Sequence, residues 1–316
     1  MIGFKAKVFS AAMTAAALIA PAAQAEFINI ATGGTSGVYY PLGVALSEIY
    51  GENISGARTQ VQATKASVEN LNLLGAKKAE LAFALGDSVK AGLEGNAEAG
   101  FPKPLTDLRA LAAIYPNYIQ IVAEKDSGIK TIYDLKGKTL SVGAPASGTE
   151  LNAREIFKAA GMSYDDLGKV EYLPYAESAE LIKNRQLQAT LQSSGLGVAF
   201  IKDLASTHDI TIVAIPKEVV EKIGAPYVPA VIPAGTYQGQ TEDIPTAAVG
   251  NILVTRAGVS DETAYQMTKL LFENLTKLEA AHSAAKNIKL ENAVTGLSIP
   301  LHPGSERYYR EVGLIK

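Results

Sequence analysis

The chain has 316 residues, with 29 basic and 32 acidic side chains, 47% hydrophobic residues and no cysteine. That length and apolar content suit two compact units and exclude a disordered chain. The slightly acidic balance provides no general field for nucleic acid, and the lack of thiols excludes zinc–thiolate, Fe–S and disulfide chemistry.

Lys5 and Lys7 precede an Ala-rich apolar run over 8–20, which Pro21 ends, and Ala23 and Ala25 flank Gln24 in a small-residue cleavage pattern. This order predicts a Sec-type signal peptide over 1–25, cleaved near Ala25 to leave Glu26 first. The run is shorter than the ~20 apolar residues of a membrane-spanning helix. A periplasmic location is expected, and the missing cysteines fit an oxidising compartment. Removing Lys5 and Lys7 leaves 27 basic against 32 acidic residues, a net charge of -5. An anionic ligand must then be recognised by a local site rather than by the overall field.

Residues 27–32 read as a strand. Val38, Leu42, Ala45, Leu46 and Ile49 recur at helical spacing. A short strand at 59–63, a helix over 67–78 with Ser67 as its cap, and a strand at 80–85 continue an alternation expected of a parallel α/β sheet. Two further strands are predicted at 108–114 and 118–124. A second α/β unit follows, with strands at 139–143, 170–173, 189–192 and 210–215. Its helices are expected after 147, over 178–183 and from about Gly197. The stretch 225–239, with Pro226, Pro229 and Pro233, reads as an extended connector. A strand at 246–255 and a long helix over 261–278 complete the pattern. The predicted fold is α/β and two-lobed, with two crossing strands as a hinge and the ligand in the cleft between lobes. The expected division is 26–122 for the first part of lobe 1, 123–231 for lobe 2, and 232–316 for the completion of lobe 1.

Two loops carry the chemistry. "GGTSG" at 33–37 and "SGT" at 147–149 each follow a strand and open a helix. A helix start presents unpaired N–H groups and a partial positive charge. Ser and Thr add hydroxyl donors, and Gly lets a ligand approach the backbone. Either loop alone is also an ordinary N-cap; their recurrence in both units points to an anion clamp. Tyr39, at the start of the first helix, is the tyrosine expected to face the cleft, with Tyr40 turned elsewhere. Arg154 lies on the second helix, where ion pairing is the expected role. Dinucleotide, P-loop and nucleophile-elbow spellings are absent. His208, His282 and His302 have no ligand-spaced neighbours, so no metal site and no catalytic residues are expected. His208 suits a surface turn, His282 a helix end where a cation meets the dipole, and His302 the turn into the last helix.

Several stretches together carry a resemblance. They are "IATGGTSGVYYPLG" at 30–43, "SVENLNLL" at 67–74, "LKGKTLSVGAPASGT" at 135–149, "VIPAGTY" at 231–237 and "IPLHPGSERYYREVG" at 299–313. From Phe27 to Lys316 the chain closely resembles the TAXI family, the TRAP-associated extracytoplasmic solute-binding proteins. That resemblance implies a type II periplasmic binding-protein fold. It also implies a small organic anion as ligand, such as glutamate, 2-oxoglutarate or a related dicarboxylate, and delivery to a TRAP membrane permease. It implies no cofactor and no catalysis, and the protein is expected to be a monomer. Carried over by position, the binding residues are Thr35, Ser36, Gly37, Tyr39, Ser67, Ser147, Gly148 and Thr149, with Ser194 in "QSSGLG". The chain departs from the family at Leu85, where members often carry Gln, and near Leu196, where many carry Pro. A leucine in the cleft would favour a larger or less polar ligand. The alternatives are a binding protein that signals through a membrane sensor kinase, and an exported hydrolase using Ser36 or Ser147.

Overall fold

The computed structural model describes residues 26–316; the predicted signal peptide and its cleavage site lie outside the described residues. The first unit runs β1 (Glu26–Ala31), α1 (Tyr39–Asn53), β2 (Ala57–Gln62), α2 (Ser67–Gly75), β3 (Leu81–Leu85) and α3 (Gly86–Glu94). β1 pairs in parallel with both β2 and β3, as the strand–helix alternation requires. On α1 the buried Leu42, Ala45, Leu46 and Ile49 repeat every three to four residues. Gly43 lets this helix ride close on its strand, because a Cβ there would sit 2.4 Å from Thr32 Cγ2.

The chain then enters β4 (Leu108–Glu124), β5 (Thr139–Ser141), α4 (Gly148–Ala159), β6 (Lys169–Glu171), α5 (Tyr175–Lys183) and β7 (Ala189–Ser194). It continues through α6 (Ala199–Thr207), β8 (Ile210–Val213), α7 (Lys217–Ile223) and β9 (Tyr227–Ile232). β10 (Ile244–Arg256), α8 (Asp261–Glu273), α9 (Leu275–Ala281) and α10 (Pro303–Glu311) complete it. The strands form one curled sheet in the order β2-β1-β3-β10-β4-β7-β5-β6, with β8 on β4 and β9 on β10. β4 and β10 run antiparallel to each other and connect the two units. The first part of β4 pairs with β10, and the part from Tyr118 to Glu124 pairs with β7 and β8.

Several expected elements are redrawn. The two strands read at 108–114 and 118–124 are one. Pro116, which lacks an N–H, lies opposite Gly250, and the ladder slips between Gly250 and Ile252 instead of ending. The extended connector contains β9, an edge strand antiparallel to β10 that accommodates Pro229. The long helix after residue 260 breaks at Asn274 into α8 and α9. The short helices α3 and α7 were not among the expected elements.

Three buried apolar clusters hold the layers together. One lies between the first unit's sheet and α1 and α8, through Ile30, Leu46, Phe83, Leu253 and Leu271. A second covers the opposite face under α2, through Val68, Leu71, Leu74 and Val254. The third fills the second unit with Leu140, Ile156, Phe157, Leu191 and Val213, and Leu85 of β3 reaches into it from the first unit.

Candidate functional site

A cavity of about 160 Å³ lies where the two units meet. At roughly 30 Å³ per liquid water, that is room for a small organic molecule. The starts of α1, α2, α4 and α5 all reach its wall, through Tyr39, Ser67, Gly148 and Tyr175. α1, α2 and α5 begin after Val38, Ala66 and Pro174, and none of these supplies a side-chain cap. At α4, Ser147 Oγ accepts from Glu150 N at 3.1 Å. Helix starts concentrate unpaired N–H groups and partial positive charge, and here several face one space. Lys65 supplies the one formal charge on the wall among the described residues, and no carboxylate lines it.

The predicted residues are mostly brought together. In the first loop Gly37 N donates to Gly34 O at 3.0 Å, closing a tight turn. Ser36 and Gly37 face the cavity, whereas Thr35 occupies the outer corner of the turn, exposed and off the wall. Tyr39 lines the cavity, stacks on Phe83 with ring centroids 5.0 Å apart, and donates its hydroxyl proton to Asn251 Oδ1. Tyr40 is off the wall. Ser67 lines the cavity without capping α2; its Oγ accepts from Leu85 N at 3.1 Å. Ala66, with φ 75°, is the residue before the helix, so the serine falls one position too late to cap.

Leu85 lies on the wall beside Gly148. A Cβ on Gly148 would come within 2.6 Å of Ser67 Oγ and 2.7 Å of Leu85 Cδ1. Only glycine allows the starts of α2 and α4 to approach this closely. Ser147 and Thr149 complete the second loop, with Thr149 Oγ1 2.6 Å from the Tyr175 hydroxyl. Ser194 is also on the wall, and its Oγ accepts from Gln120 Nε2 at 3.0 Å.

Sequence reasoning missed Tyr115, Asn117, Tyr175, Ser193 and Lys65, all of which line the cavity. Tyr115 and Asn117 flank Pro116, in the gap between the strands expected at 108–114 and 118–124. Tyr175 begins α5 three residues before the predicted helix start. Its hydroxyl donates to Ser193 O at 2.8 Å and accepts from Ser193 N at 3.2 Å. Asn117 donates to Ser193 O at 2.9 Å and accepts from Asn251 Nδ2 at 2.8 Å. The floor of the cavity is thereby tied to both crossing strands. Burial pushes the hydroxyls of Tyr39, Tyr115 and Tyr175 up, so each stays a neutral donor.

Beside the cavity a second polar cluster joins the units. Asp87, at the start of α3, accepts from Asn152 Nδ2 at 2.7 Å and from the Tyr227 hydroxyl at 2.5 Å. Asn152 in turn accepts from Ser193 Oγ at 2.5 Å. Desolvation outweighs these bonds and pushes Asp87 up to about 6. Glu69 N also donates to Ala146 O across the same seam, at 3.2 Å.

Arg154 is off the wall, paired with Glu150 Oε1 at 2.7 Å and donating to Glu98 O at 2.6 Å. His208 bonds Thr207 Oγ1 at 2.9 Å on the surface side of its turn. His282 differs from its expected role as a cation at a helix end. Its Nδ1 accepts from Ala284 N at 3.1 Å, and desolvation, reinforced by Lys202, pushes it down. His302 is fully buried, accepting from Gly304 N at 3.2 Å and donating from Nε2 to Val259 O at 3.1 Å. No histidine or carboxylate lines the cavity with Ser36 and Ser147. Among the described residues there is no cluster of three or more His, Cys, Asp or Glu that could hold a metal. Nor is any of their helices long and apolar enough to cross a membrane.

The fold recurs in solved structures. A protein of Bordetella bronchiseptica RB50 is 16% identical with a TM-score of 0.55, covering 93% of this chain and 90% of its own. The alkanesulfonate-binding protein SsuA of Xanthomonas axonopodis pv. citri, solved with MOPS, is 15% identical with a TM-score of 0.52, covering 93% and 96%. The binding protein of a Pseudomonas aeruginosa ABC phosphonate transporter is 14% identical with a TM-score of 0.53, covering 84% and 81%. The fold is therefore one shared with these binding proteins. Residues 30–313 match the model of the NMT1-like family, and the chain belongs to that family.

Proposed function

We propose that this protein is an extracytoplasmic solute receptor that captures a small organic anion between its two units and delivers it to a TRAP-type membrane permease. The observation that carries the reading is the wall itself. Several helix starts and Lys65 meet there, with no carboxylate on the lining. Such a wall favours a carboxylate over a neutral or cationic solute. Two proteins of this fold, an alkanesulfonate-binding protein and the binding protein of a phosphonate transporter, also serve oxyanion-bearing solutes. The TRAP partner and a dicarboxylate cargo such as glutamate or 2-oxoglutarate rest on the motif resemblance, centred on residues 30–43. The units 26–122 with 232–316, and 123–231, would act as lobes that close on the ligand, with β4 and β10 as the hinge.

The test is a thermal-shift screen of the mature protein against monocarboxylates, dicarboxylates, amino acids and neutral sugars, with hits confirmed by calorimetry. A ligand that binds the folded state at 100 times its Kd adds about 2.7 kcal/mol of stability. Carboxylates should raise the melting temperature and sugars should not. Binding of neutral solutes alone would overturn the reading. In cells, uptake that stops when the ion gradient is collapsed while ATP remains identifies a TRAP permease; uptake that persists identifies an ATP-driven one.

A further inference from the structure

Helix α4 is anchored in the second unit, where Ala153, Ile156 and Phe157 sit in that unit's own apolar cluster. Leu151, on the same helix, does not join them. It is buried in the cluster under α2, with Val68, Leu71, Phe101 and Leu105 of the first unit. Leu85 makes the reverse crossing, from β3 into the second unit's cluster. Each unit thus buries a leucine of the other. Polar contacts follow the same seam: Ala146 O, just before α4, accepts from Glu69 N at 3.2 Å, and Arg154 Nη1 donates to Glu98 O at 2.6 Å. Leu85 lies on the cavity wall, but Leu151, Arg154, Glu69 and Ala146 do not. Parting the units would uncover Leu151 and leave the rest of the helix's apolar face covered. Covering a leucine is worth roughly 10- to 100-fold in a two-state equilibrium.

We propose that α4 carries an apolar clasp between the units, with Leu151 as its catch: Leu151 docks into the first unit when the cavity shuts and holds it shut from a place the ligand never touches. Leu151 is then a positioning residue for binding, because a bias toward the shut form raises the apparent affinity of whatever solute that form holds. Arg154 adds a weaker polar grip at the exposed edge of the same seam. The clasp rests on the reading that the two units close on a ligand, and it does not depend on that ligand's being an anion.

The experiment measures the open–shut equilibrium directly, without ligand. The chain has no cysteine, so Lys103→Cys and Lys158→Cys, both at exposed positions, place one spin label on each unit. Pulsed electron paramagnetic resonance then gives the distances between them. The labelled protein with no other change should show a short-distance, shut population. Leu151→Ala should lower the ratio of short to long distances about 10-fold or more, and Arg154→Ala roughly 2- to 5-fold. Ile156→Val trims the same helix on the face turned to its own unit. It should lower the melting temperature and leave the distances unchanged, which separates a clasp from a merely structural role. Only long distances in the parent, or the parent's ratio in Leu151→Ala, would overturn the clasp. Should Leu151→Ala not fold, Arg154→Ala decides by the same ratio. No solute enters these measurements, so the carboxylate screen can fail while the clasp stands, and the clasp can fail while carboxylates still bind.

Discussion

The helix starts around the cavity can be set beside those of α8 and α10, which begin away from it. α8 begins at Ser260, whose hydroxyl accepts from Thr263 N, and α10 begins at His302, whose ring accepts from Gly304 N. α1, α2 and α5 meet the cavity with no side-chain cap at all. Remote starts are not uniform, since α6, α7 and α9 also begin without a side-chain cap. What sets the cavity apart is that three uncapped starts meet around one space and gather N–H groups there, although at α2 one of these, Glu69 N, is given to Ala146 O. α4 is intermediate, because Ser147 satisfies Glu150 N within a loop that is itself part of the wall.

The remote end should give the largest response. His302→Ala removes a cap and a buried bond to Val259 O together and leaves a void. It should cost about 3 kcal/mol in urea unfolding, with ligand affinity unchanged in whatever fraction remains folded. If affinity collapsed as well, the two ends would not be independent. Ser147→Ala comes next, costing about 1 kcal/mol of stability and roughly tenfold in affinity. Thr149→Ala should also weaken binding. Unchanged affinity in both would remove the second loop from the clamp. Thr35→Ala sharpens the same comparison from the other side. Its exposed corner position predicts a stability change within about 0.5 kcal/mol and no change in affinity.

A last test concerns the seam beside the cavity, where the readout is the dependence on pH. Asp87 moves from an ordinary 3.8 up to about 6 in the folded protein. The folded state therefore holds that proton more tightly than the unfolded chain does. Its contribution to stability falls as pH rises from about 4 to about 6 and is flat above. Asp87→Asn should remove that slope, seen as the difference between variant and wild-type urea midpoints at pH 4.5 and pH 7. A difference that does not change with pH would mean that Asp87 titrates normally.

The first unit was legible because its signals were local. The spacing of Leu42, Leu46 and Ile49 marked α1, and small, hydroxyl-bearing residues after two strands marked both loops. The cavity floor was not legible. The two strands expected at 108–114 and 118–124 leave a gap at Pro116, yet one strand continues through it because Gly250 lies opposite and the ladder slips. Tyr115 and Asn117 fall in that gap. Thr35 and Ser36 look alike in sequence, but the turn closed by Gly37 N on Gly34 O sends one outward and one inward. Leu85 could be judged only once Gly148 was seen against it. Contacts between distant segments decide these cases, and periodicity carries no record of them.

The pairing of β3 with β10 has a consequence in time. Phe83 and Ala84 bond across to Leu253 and Ile252, so the early sheet keeps an open edge until almost the whole chain exists. At ~5–20 residues per second of synthesis, that delay is on the order of ten seconds or more. Closing so long a loop also carries an entropic cost before any contact rewards it. The nascent chain is thus built to stay unfinished, with its first unit unable to lock until its last strand arrives.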